Sequence, residues 1–177
     1  MKILELHEIT EKHLNFDYSN FDMITFDDGL YSQFKYFDFF KSLNIPLVYF
    51  ISANIICPEY IENQNVDIDC ITAHQKIGLN LNGIKYTQNK EHLNSYMKMS
   101  QIRYISKYAE IGGHGFNHLM CNTWNDIREE ADNCLEILKE FNIKKYCLPY
   151  NQNSLKYNLY LKSKGLEVFG PGRLNIF

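Results

Sequence analysis

Short apolar runs alternate along the chain with segments whose apolar side chains recur every three or four residues. The apolar runs predict six β-strands, at residues 2–6, 22–26, 46–51, 109–113, 146–148 and 166–170. The periodic segments predict four helices, which cover residues 32–43, a stretch that begins after Ser100, residues 123–141 and about residues 154–164. Strands that alternate with helices in this way are typical of a parallel α/β sheet or barrel.

The spacing within the helices also predicts which side chains reach the core. The inward positions include Phe34, Phe37, Phe40, Ile102, Ile105, either Tyr108 or Ala109, and a stripe of Trp124, Ile127, Ala131, Leu135, Leu138 and Phe141. The chain is rich in aromatic residues, with 12 Phe and 13 Tyr. Because many of them fall at helical spacing, they are expected to form core rather than a sugar-stacking surface.

Residues 54–95 interrupt this regular pattern. The segment is rich in Asn, Gln and isolated charges and has no sustained period, which predicts a long irregular excursion with one short helix. His74 and His92 fall within it. Both are expected to be exposed rather than functional, because no neighbouring motif accompanies them.

Composition limits the classes of protein to consider. A chain of 177 residues is long enough to bury one substantial core, so we expect a single domain over residues 1–177. The formal net charge is only -3, and the lysines and arginines form no run that would follow a phosphate backbone. Nucleic acid is therefore not an expected partner.

The N-terminal residues and the cysteines indicate the compartment. Residues 1–13 acquire charge and histidine before any long apolar stretch, unlike a signal peptide, and no other stretch approaches the roughly 18 apolar residues that span a bilayer. We therefore expect a cytoplasmic protein without a transmembrane segment. The five cysteines form no close pair, which argues against a disulfide framework or a structural zinc site and predicts buried thiols; they are Cys57, Cys70, Cys121, Cys134 and Cys147.

Polar residues follow three of the predicted strands, at the point where each strand ends. They are the pair Asp27 and Asp28, then His114 and His118, and then Tyr150 after a proline. Because the carboxyl ends of parallel strands line the functional face of α/β folds, these side chains are expected to lie close together. Each group also has a simpler explanation, since Asp-Asp-Gly suits a turn and helix cap, and lone loop histidines are common.

Two histidines and one aspartate are the usual protein ligands of an open catalytic zinc site. Of two adjacent carboxylates, one can bind a metal while the other acts as a base. His7 lies just past the first predicted strand and therefore at the same end of the sheet. It is a second-rank candidate for the site.

The order of these motifs resembles the polysaccharide deacetylase family, the NodB-homology domain of carbohydrate esterase family 4. Residues 24–29 (ITFDDG), 114–118 (HGFNH) and 148–150 (LPY) are similar to its first three motifs, and residues 46–51 and 99–118 are similar to the connecting segments. The similarity runs from about residue 22 to residue 170.

This resemblance implies a distorted (β/α) barrel with fewer than eight units. It also implies Asp27 as the general base, Asp28, His114 and His118 as metal ligands, and the backbone amide of Tyr150 as an oxyanion donor. The implied cofactor is a divalent metal, zinc above cobalt, nickel, manganese or iron, and the implied substrate is a carbohydrate, an N-acetylated amino sugar. The expected reaction is metal-dependent hydrolysis of the N-acetyl amide.

The sequence departs from the family pattern at three positions. Gly115 occupies a position that is usually Ser or Thr, and Cys147 stands where the third motif usually begins with arginine. Arg173 is the expected substitute, because the other two arginines fall in predicted helices. No histidine follows His118, so the family's late Leu-x-His motif is absent and His7 is the candidate acid in its place.

These departures leave two alternatives open. One keeps the chemistry on a different substrate, as a deformylase or another C–N hydrolase acting on a sugar. The other is a barrel of the same fold that binds metal or carbohydrate without hydrolysing it.

Overall fold

A parallel sheet of six strands forms the centre of the fold. The computed structural model describes residues 1–80, 83–84 and 90–175. The strands in these residues are β1 (Ile3–Leu6), β2 (Met23–Phe26), β3 (Leu47–Ile51), β4 (Leu79–Asn80), β5 (Gly83–Ile84), β6 (Glu110–Gly113), β7 (Lys145–Cys147) and β8 (Glu167–Phe169). The main sheet has the order β1-β2-β3-β6-β7-β8, and all of its neighbouring strands are parallel; β4 and β5 form a separate antiparallel pair.

Helices connect the strands of the main sheet. The α-helices are α1 (Tyr31–Lys35), α2 (Phe37–Ser42), α3 (Cys70–Lys76), α4 (Met99–Ile105), α5 (Trp124–Ile137) and α6 (Leu155–Ser163). Short 3₁₀ turns cover Glu11–Asn15, Lys90–Ser95, Lys139–Phe141 and Pro149–Asn151. Each α-helix in the described part of the chain is too short or too polar to cross a bilayer.

The segment after β8 returns to the first strand and partly closes the sheet. The Glu5 N–H donates to the Leu174 carbonyl at 2.8 Å, and the Leu174 N–H donates to the Ile3 carbonyl at 2.9 Å. We call residues 170–174 the closing segment. The result is a half-barrel of parallel strands and helices, which confirms the prediction of a distorted (β/α) barrel with fewer than eight units.

The six predicted strands of the main sheet are confirmed, and the helices differ in detail. The predicted helix over 32–43 is two helices, because the backbone leaves helical geometry at Tyr36, with φ -100° and ψ 12°. Trp124 was wrong as a core position, since it is 44% exposed. Of the alternatives Tyr108 and Ala109, Ala109 packs against the core, whereas Tyr108 is 52% exposed. Residues 81–82 and 85–89 of the segment expected to be irregular lie outside the described residues.

Aromatic side chains from both strands and helices pack together in the core between the sheet and its helices. Phe26 of β2 stacks on Tyr49 of β3 with ring centroids 4.3 Å apart, and Phe40 meets Phe26 edge-on at 4.9 Å. Full burial of one such side chain contributes roughly 1.5–3 kcal/mol to folding. All five residues of β3 are buried, so the strands next to it are held rigidly and their carboxyl ends are well positioned to carry a site.

Candidate metal centre

The turn after β2 places two adjacent carboxylates at different positions. The Asp27 N–H donates to the Leu6 carbonyl at 2.9 Å and so extends the pairing with β1. Asp28 then adopts a left-handed backbone with φ 73°, and Gly29 follows with φ 77°. A left-handed conformation at a residue other than glycine costs of order 1–3 kcal/mol and is concentrated at functional sites. The turn separates the two side chains, both of which are buried.

Three side chains surround one point at the carboxyl ends of β2 and β6. The Asp28 Oδ1 atom lies 3.3 Å from His114 Nε2 and 3.0 Å from His118 Nε2, and the two nitrogens are 3.2 Å apart. Ligands of a tetrahedral zinc ion at 2.0–2.2 Å are separated by about 3.4 Å. The three atoms therefore have nearly the spacing that such an ion requires.

The Asp28 Oδ1 atom also indicates an ion. It is buried and makes no hydrogen bond within the described residues, even though both imidazoles lie within 3.3 Å. An unsatisfied buried carboxylate oxygen is costly, and a cation would satisfy it. The residues present therefore fit a divalent metal ion.

Contacts behind the ligands fix the orientation of His114. Its Nδ1 atom lies 3.0 Å from the Cys147 carbonyl oxygen, and as the protonated nitrogen it donates to that oxygen. This tautomer leaves Nε2 unprotonated and directed at Asp28. The end of β7 therefore aligns a ligand that β6 carries.

Glu130 of helix α5 holds the loop that carries His118. The Asn117 N–H donates to its Oε1 at 2.9 Å, and the Leu119 N–H donates to its Oε2 at 3.2 Å. Gly115 adopts φ 81°, and a Cβ atom there would lie 2.8 Å from Glu130 Oε2. A side chain at position 115 would have to adopt this left-handed backbone beside the Glu130 carboxylate, so the position favours glycine.

Sequence reasoning did not find Glu130. A signal was available, because Glu130 occupies a core-facing position between Ile127 and Cys134, which are both buried. A carboxylate on the apolar face of an amphipathic helix needs buried hydrogen-bond donors. Here the donors are backbone N–H groups next to a candidate ligand.

Arg173 of the closing segment forms a bidentate ion pair with Asp27. Its Nη1 and Nη2 atoms lie 2.7 Å from the two carboxylate oxygens of Asp27. Nη2 also lies 3.2 Å from Glu5 Oε2 and 2.8 Å from the Cys147 sulfur. The structure thus brings Arg173 to the place where the sequence predicts it as a substitute for arginine at position 147.

The charges of the site shift its pKa values. Burial alone would raise the pKa of Asp27, but the charge of Arg173 and then that of His114 hold it below its usual value. Burial would likewise raise the pKa of Asp28, yet His74 and the neighbouring imidazoles of His114 and His118 hold it well below normal. Burial lowers the pKa of His118 to about 4. Both carboxylates are therefore ionised and His118 is neutral at pH 7, as metal ligation and base catalysis require.

Helix α3 covers the site, which the sequence did not predict. His74 Nε2 lies 3.5 Å from Asp28 Oδ2, and its side chain is only 17% exposed, so the expectation that His74 is exposed was wrong. His92 is exposed, as expected. Cys70 Sγ lies 3.1 Å from the same Asp28 oxygen, whereas the other four cysteines are buried as predicted. The i,i+4 spacing of Cys70 and His74, which puts them on one helix face, was the available signal.

The remaining candidates line the same cavity. His7 Nε2 lies 3.5 Å from Glu5 Oε1 and 4.0 Å from Asp28 Oδ2, with 27% of its side chain exposed. Tyr150 has a left-handed backbone with φ 58°, and its ring packs on the His118 ring at 4.6 Å. The cavity has a volume of about 260 Å³ and is lined by Asp27, Asp28, His114, His118, His7, Cys70, His74 and Tyr150, among others. The Arg173 guanidinium lies behind Asp27.

Comparison with known proteins yields a match of structure alone. No protein-family model matches the sequence, and no curated protein matches it. The structure is similar to that of IcaB from Ammonifex degensii, with a TM-score of 0.64 and 15% sequence identity. The match covers 99% of this chain and 91% of that chain. At this identity the likeness shows that the two proteins share a fold.

Proposed function

We propose that this protein is a divalent-metal-dependent carbohydrate deacetylase of the NodB type, which hydrolyses the N-acetyl group of an amino sugar. One observation carries the proposal: Asp28, His114 and His118 surround a point beside Asp27, which Arg173 holds ionised. The order of the motifs along the chain and the fold shared with IcaB support it.

Asp28, His114 and His118 would hold the metal, and their two nitrogens and one oxygen suit zinc above the other divalent ions. A divalent ion in such a site acidifies a water molecule and polarises the carbonyl of the acyl group. The cavity is smaller than the roughly 300–1,000 Å³ of sites for drug-sized ligands, which suits one acylated sugar unit.

Asp27 is the proposed general base. Its carboxylate is ionised, lies in the cavity next to His114 and is fixed by two hydrogen bonds from Arg173. A carboxylate held in one orientation accepts the proton of the attacking water without first rearranging. Arg173 is therefore a positioning residue in this mechanism.

Tyr150 and His7 complete the proposed machinery. The left-handed turn at Tyr150 lies beside His118, and we assign its backbone N–H to the developing oxyanion. His7 lies at the partly exposed rim of the cavity, within 4.0 Å of Asp28, and is the proposed donor of a proton to the leaving amine. It takes the role of the late histidine that the sequence lacks.

The test is release of acetate and formate from a panel of N-acetylated and N-formylated amino sugars. We expect acetate release that EDTA abolishes and zinc or cobalt restores. Asp27→Asn should reduce kcat at least 1,000-fold, by roughly the value of general base catalysis, while metal binding is retained. Asp17→Asn, which changes an exposed aspartate, is the matched control and should have normal activity.

The rival function is a barrel that binds metal or carbohydrate without hydrolysis. The cysteine at position 147 and the absence of a late histidine favour it. One metal ion per chain with no acetate or formate released from the whole panel would support this rival. Release of formate alone would instead identify a deformylase.

A further inference from the structure

Helix α3 brings two more metal-binding side chains to Asp28. Cys70 and His74 lie one turn apart on the face of α3 that covers the cavity. Both approach the Asp28 Oδ2 atom, the sulfur at 3.1 Å and His74 Nε2 at 3.5 Å. The proposed catalytic ion accounts for neither residue.

The two oxygens of Asp28 thus face two different sets of donors. Oδ1 faces His114 and His118, whereas Oδ2 faces Cys70 and His74. One carboxylate with donors on both sides is the arrangement by which proteins hold two ions about 3.5–4 Å apart.

The second set also has spacings close to those around a metal ion. In a tetrahedral zinc site, sulfur lies about 3.6 Å from the other ligand atoms, and nitrogen lies about 3.4 Å from oxygen. Here the Cys70 sulfur lies 3.7 Å from both ring nitrogens of His74 and 3.1 Å from Asp28 Oδ2. Of the two nitrogens, Nε2 is the one that also lies near Asp28 Oδ2, at 3.5 Å, and it is therefore the candidate ligand.

We propose that Asp28, Cys70 and His74 form a second divalent-metal site, joined to the first through the carboxylate of Asp28. The proposal rests on the proposed function only through this shared ligand. A thiolate with an imidazole selects zinc or cobalt over magnesium or calcium. The second ion fastens helix α3 over the cavity.

Other contacts hold the second donor set in place. The Cys70 N–H donates to Glu8 Oε2 at 3.3 Å, and the Asp69 carboxylate caps the helix by accepting from the Thr72 N–H at 2.8 Å. The His74 ring lies parallel to the buried ring of Tyr96, with centroids 6.3 Å apart. Both donors are therefore placed before an ion binds, which lowers the entropy cost of binding it.

The test is titration of the metal-free protein with Co²⁺, read by metal content per chain and by absorbance. We expect two ions per chain and a sulfur-to-cobalt charge-transfer band in the near ultraviolet. Cys70→Ser should remove the charge-transfer band and the binding of one of the two ions. His74→Gln should lower the affinity for the second ion at least tenfold. Both readouts are independent of catalytic activity.

Cys147→Ser is the matched control, since Cys147 also lies near candidate ligands, with Asp27 and His114. We expect this variant to keep the band and both ions. A band that disappears in Cys147→Ser and persists in Cys70→Ser would overturn the proposal. If circular dichroism shows that Cys70→Ser does not fold, the wild-type protein and Cys147→Ser are compared instead. One bound ion per chain and no charge-transfer band in these two proteins would overturn the second site.

The outcomes separate this proposal from the proposed function. Metal-dependent acetate release with a single ion per chain contradicts only the second site. Two ions with a thiolate band and no acetate or formate release contradict only the hydrolase.

Discussion

The two sets of donors around Asp28 are held by different kinds of structure. His114 follows β6, which pairs with the fully buried strand β3, and Glu130 fixes the loop of His118. Cys70 and His74 lie on a seven-residue helix that packs in a small cluster of its own, with residues such as Ile55, Ile77 and Tyr96. Donors on a central sheet are fixed by the whole core, whereas donors on a short covering helix depend on local contacts and on the ion itself.

The largest effect should come from Asp28→Asn, because Asp28 serves both donor sets. Asn tolerates the left-handed backbone as Asp does, so the turn is retained while the charge is removed. We expect both ions to bind about 100-fold more weakly or not at all, and activity to fall to background. Metal titration by calorimetry checks this, with Asp17→Asn as the control. Unchanged binding of either ion would contradict a shared ligand.

Arg173→Lys should have the next largest effect. It should affect Asp27 at the end of β2 and leave the second donor set on α3 unchanged. Lysine keeps the charge and loses the bidentate geometry that fixes Asp27. A misplacement of about 1 Å can cost 100-fold in rate, so we expect a decrease of that order in kcat/KM. Metal content should remain at the wild-type value, and a normal kcat/KM would show that the base needs no fixed orientation.

Arg173→Met tests the charge itself through pH dependence. Arg173 keeps the pKa of Asp27 low, so its removal should raise that pKa and move the acidic limb of the pH–rate profile to higher pH. The ion pair stabilises the fold above the ordinary carboxyl pKa, and this contribution is lost as the pH falls through the lowered value. The unfolding free energy of the Met variant should therefore fall most at neutral pH. Urea unfolding at several pH values measures it.

Glu130→Gln should have a smaller effect, on the loop of His118. The glutamine amide keeps one acceptor oxygen. It loses the negative charge and one of the two carboxylate oxygens that accept from the Asn117 and Leu119 N–H groups. Changes behind a ligand cost 10–100-fold in metal affinity, and this conservative change should lie near the lower end. Glu129→Gln, an exposed neighbour on the same helix, should bind metal normally. Equal metal affinities in the two variants would show that Glu130 does not support the metal site.

The smallest effect should come from Asp69→Ala, which removes the N-cap of helix α3. Loss of a cap costs about 1 kcal/mol, and we expect it to be confined to α3 and the second ion. Hydrogen exchange should become faster in the amides of α3 and stay unchanged in β2 and β3. Thr123→Ala, which removes the cap of α5, is the matched control. Faster exchange throughout the sheet would mean that α3 is not an independent local element.

The same contrast explains which residues the sequence could predict. Asp27, Asp28, His114 and His118 follow strands, and parallel strands place whatever follows them at one edge. Cys70, His74 and Glu130 reach the site through the packing of helices, and their helix spacing marks them without specifying what they contact. His74 in particular sits in a segment without periodicity, so only the pairing of Cys and His at i,i+4 marked it. Arg173 was found by elimination among three arginines, since its path back to β1 depends on the closing segment.

The position of Arg173 has a consequence for covariation among related chains. Its guanidinium lies 2.8 Å from the buried sulfur of Cys147, so the space beside Asp27 holds one arginine and not two. An arginine introduced at position 147 would meet a like charge in a dry site unless position 173 changed with it. Positions 147 and 173 should therefore exchange the arginine between them across homologues. A search that requires the arginine at one of these two positions would miss the chains that carry it at the other.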